Sequence, residues 1–276
     1  MKTISIPSVE ALLRQANELP NNFIYRGQAD AAWPLRSSLE RVIGAGWSAE
    51  KAQKFEDYAL QQFRSKFHLY DRENSHPTSK LAWLSVMQHY GVPTRLLDFT
   101  ESPYIALYFA LESYTHHLGR DISLFALDYS AVLEKSIEHI QSKDSGFNET
   151  RATVFERQDE IFDTVVDRFA YDIAWIAEPQ VLNARLDRQG GSFLLSGNRS
   201  LQVESVLALP LYTDVSFRKL VIPATLVPGV FALLRKMNIT SKSLYGDLEG
   251  LARSIHMQLQ QYAAQSGNRE HLTPGA

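Results

Sequence analysis

Cysteine is absent from the 276 residues, which excludes disulfides, thiolate zinc sites and a cysteine nucleophile and fits a reducing compartment. Long hydrophobic runs are missing too. No window approaches the ~18 uninterrupted apolar residues of a membrane span, and the opening MKTISIPSVEALLRQ has no signal-peptide apolar stretch. The chain is therefore expected to be soluble and cytoplasmic, with no membrane partner. Nor is there a basic excess: 28 Lys and Arg face 31 Asp and Glu, a formal charge of -3. Duplex nucleic acid is thereby disfavoured, although a local basic patch stays open. Also missing are GxxxxGK[ST], a strand-linked GxGxxG, HExxH and GxSxG, the signatures of common nucleotide-binding and hydrolase sites. The histidines at 68, 76, 116, 117 and 139 lack metal-ligand spacing, so no metal is expected. His116 and His117, adjacent near a helix end, read as capping or solvated residues.

What is present is ample for a core: 45% of residues are hydrophobic. No repeat or Pro/Gly/Ser-rich linker divides the chain, so one domain over 1–265 is expected, with 266–276 a disordered tail. Ser8 can cap a helix over 9–19, which Pro20 breaks before a strand at 23–25. A long helix from Ser48 carries Ala52, Phe55, Ala59, Phe63 and Phe67 at three- and four-residue spacing. Glu56 falls on that apolar face or its edge, where its carboxylate either reaches water or pairs, Arg26 being the sharper candidate.

SKLAWLSVMQHYG reads as a helix stopped by Gly91, after which Val92-Pro93 forces TRLLDFT into extended geometry. Ser102-Pro103 starts a helix in YIALYFALESY that is hydrophobic nearly all round and therefore central. SLFALDY reads as a buried strand. The charged segment 131–170 is expected to be a peripheral helical insertion, and IAWIAEP, SFLLSG, VESVLALPL and RKLVIPA read as short strands. GVFALLRKMNI and LYGDLEGLARSIHMQLQQYAA close the chain as helices. This order is too irregular for a doubly wound parallel sheet, so the fold class is α+β, with a mixed or antiparallel sheet flanked by helices.

Two stretches place polar groups where core should continue. In NNFIYRGQAD, either the strand ends at Arg26 and Gly27 makes the turn, or Arg26 is aimed at an anion in a cleft. In MQHYGVPTRLLDFTESPYIALYFA, residues 87–110, His89, Thr94, Arg95, Asp98 and Thr100 cluster beside a helix end and a strand. They form either a buried network, with Arg95 on Asp98 or on helix carbonyls, or a functional site. A metal-dependent nuclease would need Glu56, Asp98 and Glu101 to converge in space.

YRGQ (25–28), WPLRSSLER (33–41), FE (55–56), QHYGVPTRLLDFTESPYIALYFA (88–110), RQGGSF (188–193) and LYGDLEGLA (244–252) together resemble the FRG domain family. The family is named for an aromatic-Arg-Gly motif, with Tyr25 here as the aromatic. The similarity runs in order from about residue 21 to 252 and implies a bacterial or phage setting suggestive of defence. A more distant resemblance is to ADP-ribosyltransferase-like folds. Arg26-Gly27 is similar to their first strand element, and Thr100, Ala106 and Phe109 to their Ser/Thr strand and Ala-x-x-Phe helix. The third element departs, because Gln189 stands where a glutamate is expected, although Gln202-Val203-Glu204 lies nearby.

These resemblances imply a nucleotide-handling protein that transfers ADP-ribose from NAD to a macromolecular acceptor or hydrolyses NAD. The alternative is a non-enzymatic module that senses a nucleotide, a nucleic-acid end or a phage protein. Cleavage of nicotinamide from NAD needs a pyrophosphate anchor and a polar group beside a ribose that gains positive charge. Tyr25, Arg26, Gly27, Gln28, Glu56, Thr94, Arg95 and Thr100 are the expected substrate-binding set. His89, Asp98, Gln189 and Glu204 are the candidate catalytic residues, with NAD as the possible substrate.

Overall fold

Local signals set the elements of the computed structural model, which describes residues 1–71, 76–115, 118–179 and 187–270. His116 and His117, and 271–276 of the expected tail, lie outside the described residues. In chain order the elements are β1 (Lys2–Ser5), α1 (Val9–Asn17), β2 (Phe23–Gln28), α2 (Ser38–Ile43), α3 (Ala49–Phe67), α4 (Lys80–His89), β3 (Leu97–Thr100), α5 (Pro103–Glu112), β4 (Ile122–Asp128) and α6 (Tyr129–Lys143). There follow α7 (Arg151–Glu156), α8 (Gln158–Thr164), β5 (Ala174–Ala177), β6 (Gly191–Ser196), α9 (Val203–Leu207), β7 (Phe217–Ile222), α10 (Val227–Lys236), α11 (Ser241–Tyr245) and α12 (Leu248–Glu270). Ser8, Ser48, Ser79 and Ser102 each cap the helix that follows by accepting from a backbone N–H of its first turn. Gly91, at φ +80°, sits just past the end of α4, as its stop signal implied.

The strands form one seven-stranded sheet in the order β1-β7-β4-β2-β3-β6-β5. Only the β1–β7 pair is parallel, so the sheet is mixed and the architecture α+β, as expected. Alternation along β2 divides the core. Phe23 and Tyr25 pack with Ala106 of α5 and with Val230 of α10 on one face, while Ile24 joins Leu97, Phe99 and Val203 on the other.

VESVLALPL is not a strand. Val203, Val206 and Leu207, spaced for one helical face, are buried by α9, and the apolar run imitated a strand only because it is short. Within 131–170, α6 and α8 bury Val132, Ile137, Ile140, Ile161 and Phe162 in the cores that cover the sheet, so this segment contributes to the cores despite its charged surface.

Gly27 does not make a turn. It lies inside β2, with no positive φ, and a Cβ placed on it would stand 1.8 Å from the carbonyl oxygen of Ala106. Glycine is required here because the α5 backbone packs directly on the strand. The strand itself is paired unequally. It matches β4 from Phe23 to Gln28 but β3 only through Tyr25 and Thr100. Beyond that pair the sheet splits at its centre.

Candidate functional site

A cavity of about 580 Å³ occupies this split. The side chain of Arg26 spans it, with Nη1 donating to the carbonyl oxygen of Asp98 at 2.8 Å and lying 3.9 Å from Asp98 Oδ2. One guanidinium hydrogen bond thus stands where the strand ladder would have continued. Burial pushes the Arg26 guanidinium below its ordinary value, the Asp98 carboxylate opposes that, and the nearby Arg41 charge adds to it. Asp98 is held from α4 by Gln88, whose Nε2 donates to Oδ1 at 2.9 Å, yet its side chain stays 57% exposed. Thr100 donates to the Gln189 carbonyl oxygen at 2.5 Å and so fixes the approach to β6. His89, at the end of α4, and Tyr25 also face the cavity.

Three polar atoms at this cavity are buried without a hydrogen-bond partner: Arg26 Nε, Gln28 Oε1 and Gln189 Nε2. Gln28 is oriented by donation from Nε2 to the Pro34 carbonyl at 3.2 Å, which leaves its oxygen as the free end. Orphaned buried polar groups are costly and uncommon in folded proteins. Two donors and an acceptor on residues lining one cavity are groups that a polar ligand would satisfy.

The cavity is also cationic on the α2 side. Arg36 and Arg41 line it, and among the described residues neither forms an ion pair. Arg41 Nη1 donates to the Arg36 carbonyl at 2.7 Å, which ties the two positions together. A capping box formed by Ser37 and Glu40 fixes the start of α2, and Glu40 also accepts from the Val203 N–H at 2.8 Å. Between β2 and α2 the Asp30 carboxylate accepts from the Ala32 N–H at 2.8 Å and pairs with Arg120. This turn carries Trp33, 47% exposed, at the cavity.

On the α5 side the wall is different. Glu112 Oε1 accepts from the hydroxyls of Tyr108 and Tyr245, both at 2.9 Å, and from Arg253 Nη1 at 3.2 Å. Tyr108 is pushed above the usual tyrosine range by its burial and then by the Glu112 charge, so it stays a phenol donor. Arg188, Gly246 and Gly250 help seat Tyr245 and α12 against α5. Arg188 Nη1 donates to the Tyr245 carbonyl at 2.7 Å, Gly246 takes φ +73°, and a Cβ on Gly250 would meet the Ser241 carbonyl at 2.7 Å.

Of the residues the sequence nominated, Tyr25, Arg26, Gly27, Gln28, His89, Asp98, Thr100 and Gln189 line this one cavity. Four do not. Glu56 is 2% exposed and pairs with Lys80 at 3.1 Å and Arg95 Nε at 3.0 Å, so it neither reaches water nor meets Arg26. Arg95 pairs with Glu56 and Asp167, not with Asp98, and its guanidinium lies 4.4 Å from the Phe169 ring centroid. The two residues line a separate, water-sized cavity of about 20 Å³. Thr94 is fully buried, donates to Gln88 and accepts from the Leu96 N–H, a local brace for the turn before β3. Glu204 sits in the first turn of α9, outside the cavity. Tyr90 is exposed away from it, whereas Phe109 lines it.

Trp33, Arg36 and Arg41 were not among the nominated residues, although WPLRSSLER holds a tryptophan before proline and two arginines. Glu112 and Arg253 carried no local signal, because one ends a hydrophobic helix and the other rides on a charged one. Among the described residues no group of three His, Cys, Asp or Glu is placed to hold a metal, and no helix is long and apolar enough to cross a membrane.

The FRG domain model matches residues 21–118 of the chain. No curated protein and no solved structure matches it. The RQGGSF and LYGDLEGLA runs lie beyond the matched residues, yet they bring Gln189 and Tyr245 to the same cavity.

Proposed function

Since the chain carries an FRG domain over residues 21–118, we propose that its split-sheet cavity binds a phosphate-bearing nucleotide, NAD in the first instance. The observation that carries this reading is the convergence of Arg26, Arg36 and Arg41 on one cavity beside the exposed Trp33. Guanidinium forks suit phosphate oxygens, and an exposed indole suits the face of a base. The orphaned Gln28 and Gln189 amides supply the directional contacts that an aromatic face and charges lack.

The reaction that fits this ligand is ADP-ribosyl chemistry. The bond from nicotinamide to ribose C1′ breaks, its electron pair leaves on the nicotinamide nitrogen, and neutral nicotinamide departs. Water or an acceptor nucleophile then captures the sugar cation and releases a proton, for which His89, lining the same cavity, is the proposed acceptor. Asp98, with an exposed carboxylate at the split, would stabilise the developing positive charge. An ADP-ribosyltransferase-like fold, a macromolecular acceptor and a role in bacterial or phage defence belong to this same reading and rest on the resemblance in sequence.

A second reading is favoured by Gln189, an amide where a transferase-like site would carry a carboxylate. On that reading the cavity holds a nucleotide, a nucleic-acid end or a phage protein for recognition and performs no reaction. Incubating the purified chain with NAD and quantifying nicotinamide separates the two. Release that disappears in Asp98→Asn supports the chemistry, whereas NAD binding without release, alone and with candidate acceptors, leaves recognition.

A further inference from the structure

The α5 wall of the cavity has a property the guanidinium side lacks: it is built around an anion that still has room for a donor. Glu112 is 15% exposed, and an ionised carboxylate offers about four lone-pair sites. The hydroxyls of Tyr108 and Tyr245 bring one proton each, and Arg253 Nη1 donates through one N–H, all of them within reach of Oε1. Among the described residues Oε2 is approached only by the Tyr245 hydroxyl, at 2.8 Å, which has a single proton to share between both oxygens. At most three protons therefore meet four acceptor sites, and the shortfall falls on the oxygen that lies farther from the Arg253 clamp.

Such a site offers acceptors to hydroxyl donors and no unpaired cation to phosphate, since Arg253 is paired with Glu112 and Glu249. Phosphate is instead drawn to Arg36 and Arg41 on the α2 side, and the cavity joins the two sides through the split. A ligand that spans it thus presents its anion to the arginines and its hydroxyls to α5. We propose that Glu112 reads the ribose hydroxyls of the bound nucleotide, so that the cavity selects ribonucleotides over deoxyribonucleotides. This rests on the nucleotide reading above. The carboxylate is immobilised in advance by two tyrosines and an arginine from three different helices, so little ordering accompanies binding. A deoxy ligand would leave the Oε2 lone pair desolvated and unmet, which is the condition under which one hydroxyl discriminates strongly.

The test is calorimetric titration of the full chain with ADP and with 2′-deoxy-ADP and 3′-deoxy-ADP. The expected result is that ADP binds about tenfold to a hundredfold tighter than at least one deoxy analogue. Glu112→Gln, checked for a native unfolding transition, is expected to bring ADP down to the affinity of that analogue while leaving the analogue unchanged. Equal affinity for all three ligands in the unaltered chain overturns the inference and leaves nucleotide binding standing, without recourse to any variant. Preference for ADP that survives Glu112→Gln overturns the role of this residue. If none of the three binds, the nucleotide reading itself fails and takes this inference with it.

Discussion

Gly27 and Ala106 stand so close that a single added carbon on the glycine would fall 1.8 Å from the alanine carbonyl oxygen. The contact seats α5 on β2, and α5 in turn carries Phe109 and Glu112 to the cavity wall. Gly27→Ala must push the helix backbone away, because a carbonyl has no rotamer to yield. Overpacking of this kind is expected to cost about 1–3 kcal/mol or more in urea unfolding, together with weakened nucleotide affinity.

The Glu56 carboxylate, held by Lys80 and Arg95, belongs to stability and not to the cavity. Glu56→Ala leaves the cations Arg95 and Lys80 to share the single Asp167 carboxylate, and breaking a buried charge network by removing one partner costs about 3–5 kcal/mol. Chemical denaturation should register that loss, while calorimetry with nucleotide should give an unchanged affinity for the fraction that remains folded.

Trp33 is exposed and belongs to none of the hydrophobic clusters among the described residues. Trp33→Ala is therefore expected to keep the unfolding midpoint and to weaken nucleotide binding by about 1–3 kcal/mol, the range for loss of a base-stacking aromatic. An unchanged affinity would place the base elsewhere in the cavity.

Acid should loosen the turn that carries Trp33. The backbone N–H of Ala32 lowers the Asp30 pKa most, burial opposes that, and Arg120 lowers it further, for a net value below the ordinary 3.8. A depressed folded-state pKa contributes stability that is present above 3.8 and disappears as pH falls through the lower folded value. Urea midpoints of the unaltered chain and Asp30→Asn should differ by a constant amount near neutrality and converge below about pH 4.

Much of the scaffold was legible because its signals are local. Serine caps, the Gly91 stop and the all-apolar α5 each state a boundary or a burial within a few residues. The short run VESVLALPL misled, since five residues of α9 carry too little period to separate helix from strand. Gly27 shows a different limit: glycine before a turn and glycine beneath a helix look alike until α5 is seen on β2. Part of the cavity wall was legible in YRGQ and in Asp98 and Thr100 of the polar run after Gly91, whose residues stand on adjoining strands. The remainder, Arg36, Arg41, Glu112 and Arg253, converges only because the sheet splits, and no spacing in the chain encodes where two strands part. Glu56 and Arg95 were drawn to the site by their polarity, whereas their charges serve each other in a neighbouring core.

Titration of NAD into the unaltered chain and into Arg36→Ala/Arg41→Ala measures whether the cationic cavity holds a nucleotide. These arginines form no ion pair among the described residues, so the variant is expected to unfold like the parent. Saturable one-site binding to the parent, weakened at least about tenfold in the variant and falling with added salt, is the expected result. No binding to the parent, or equal affinity in parent and variant, would contradict it.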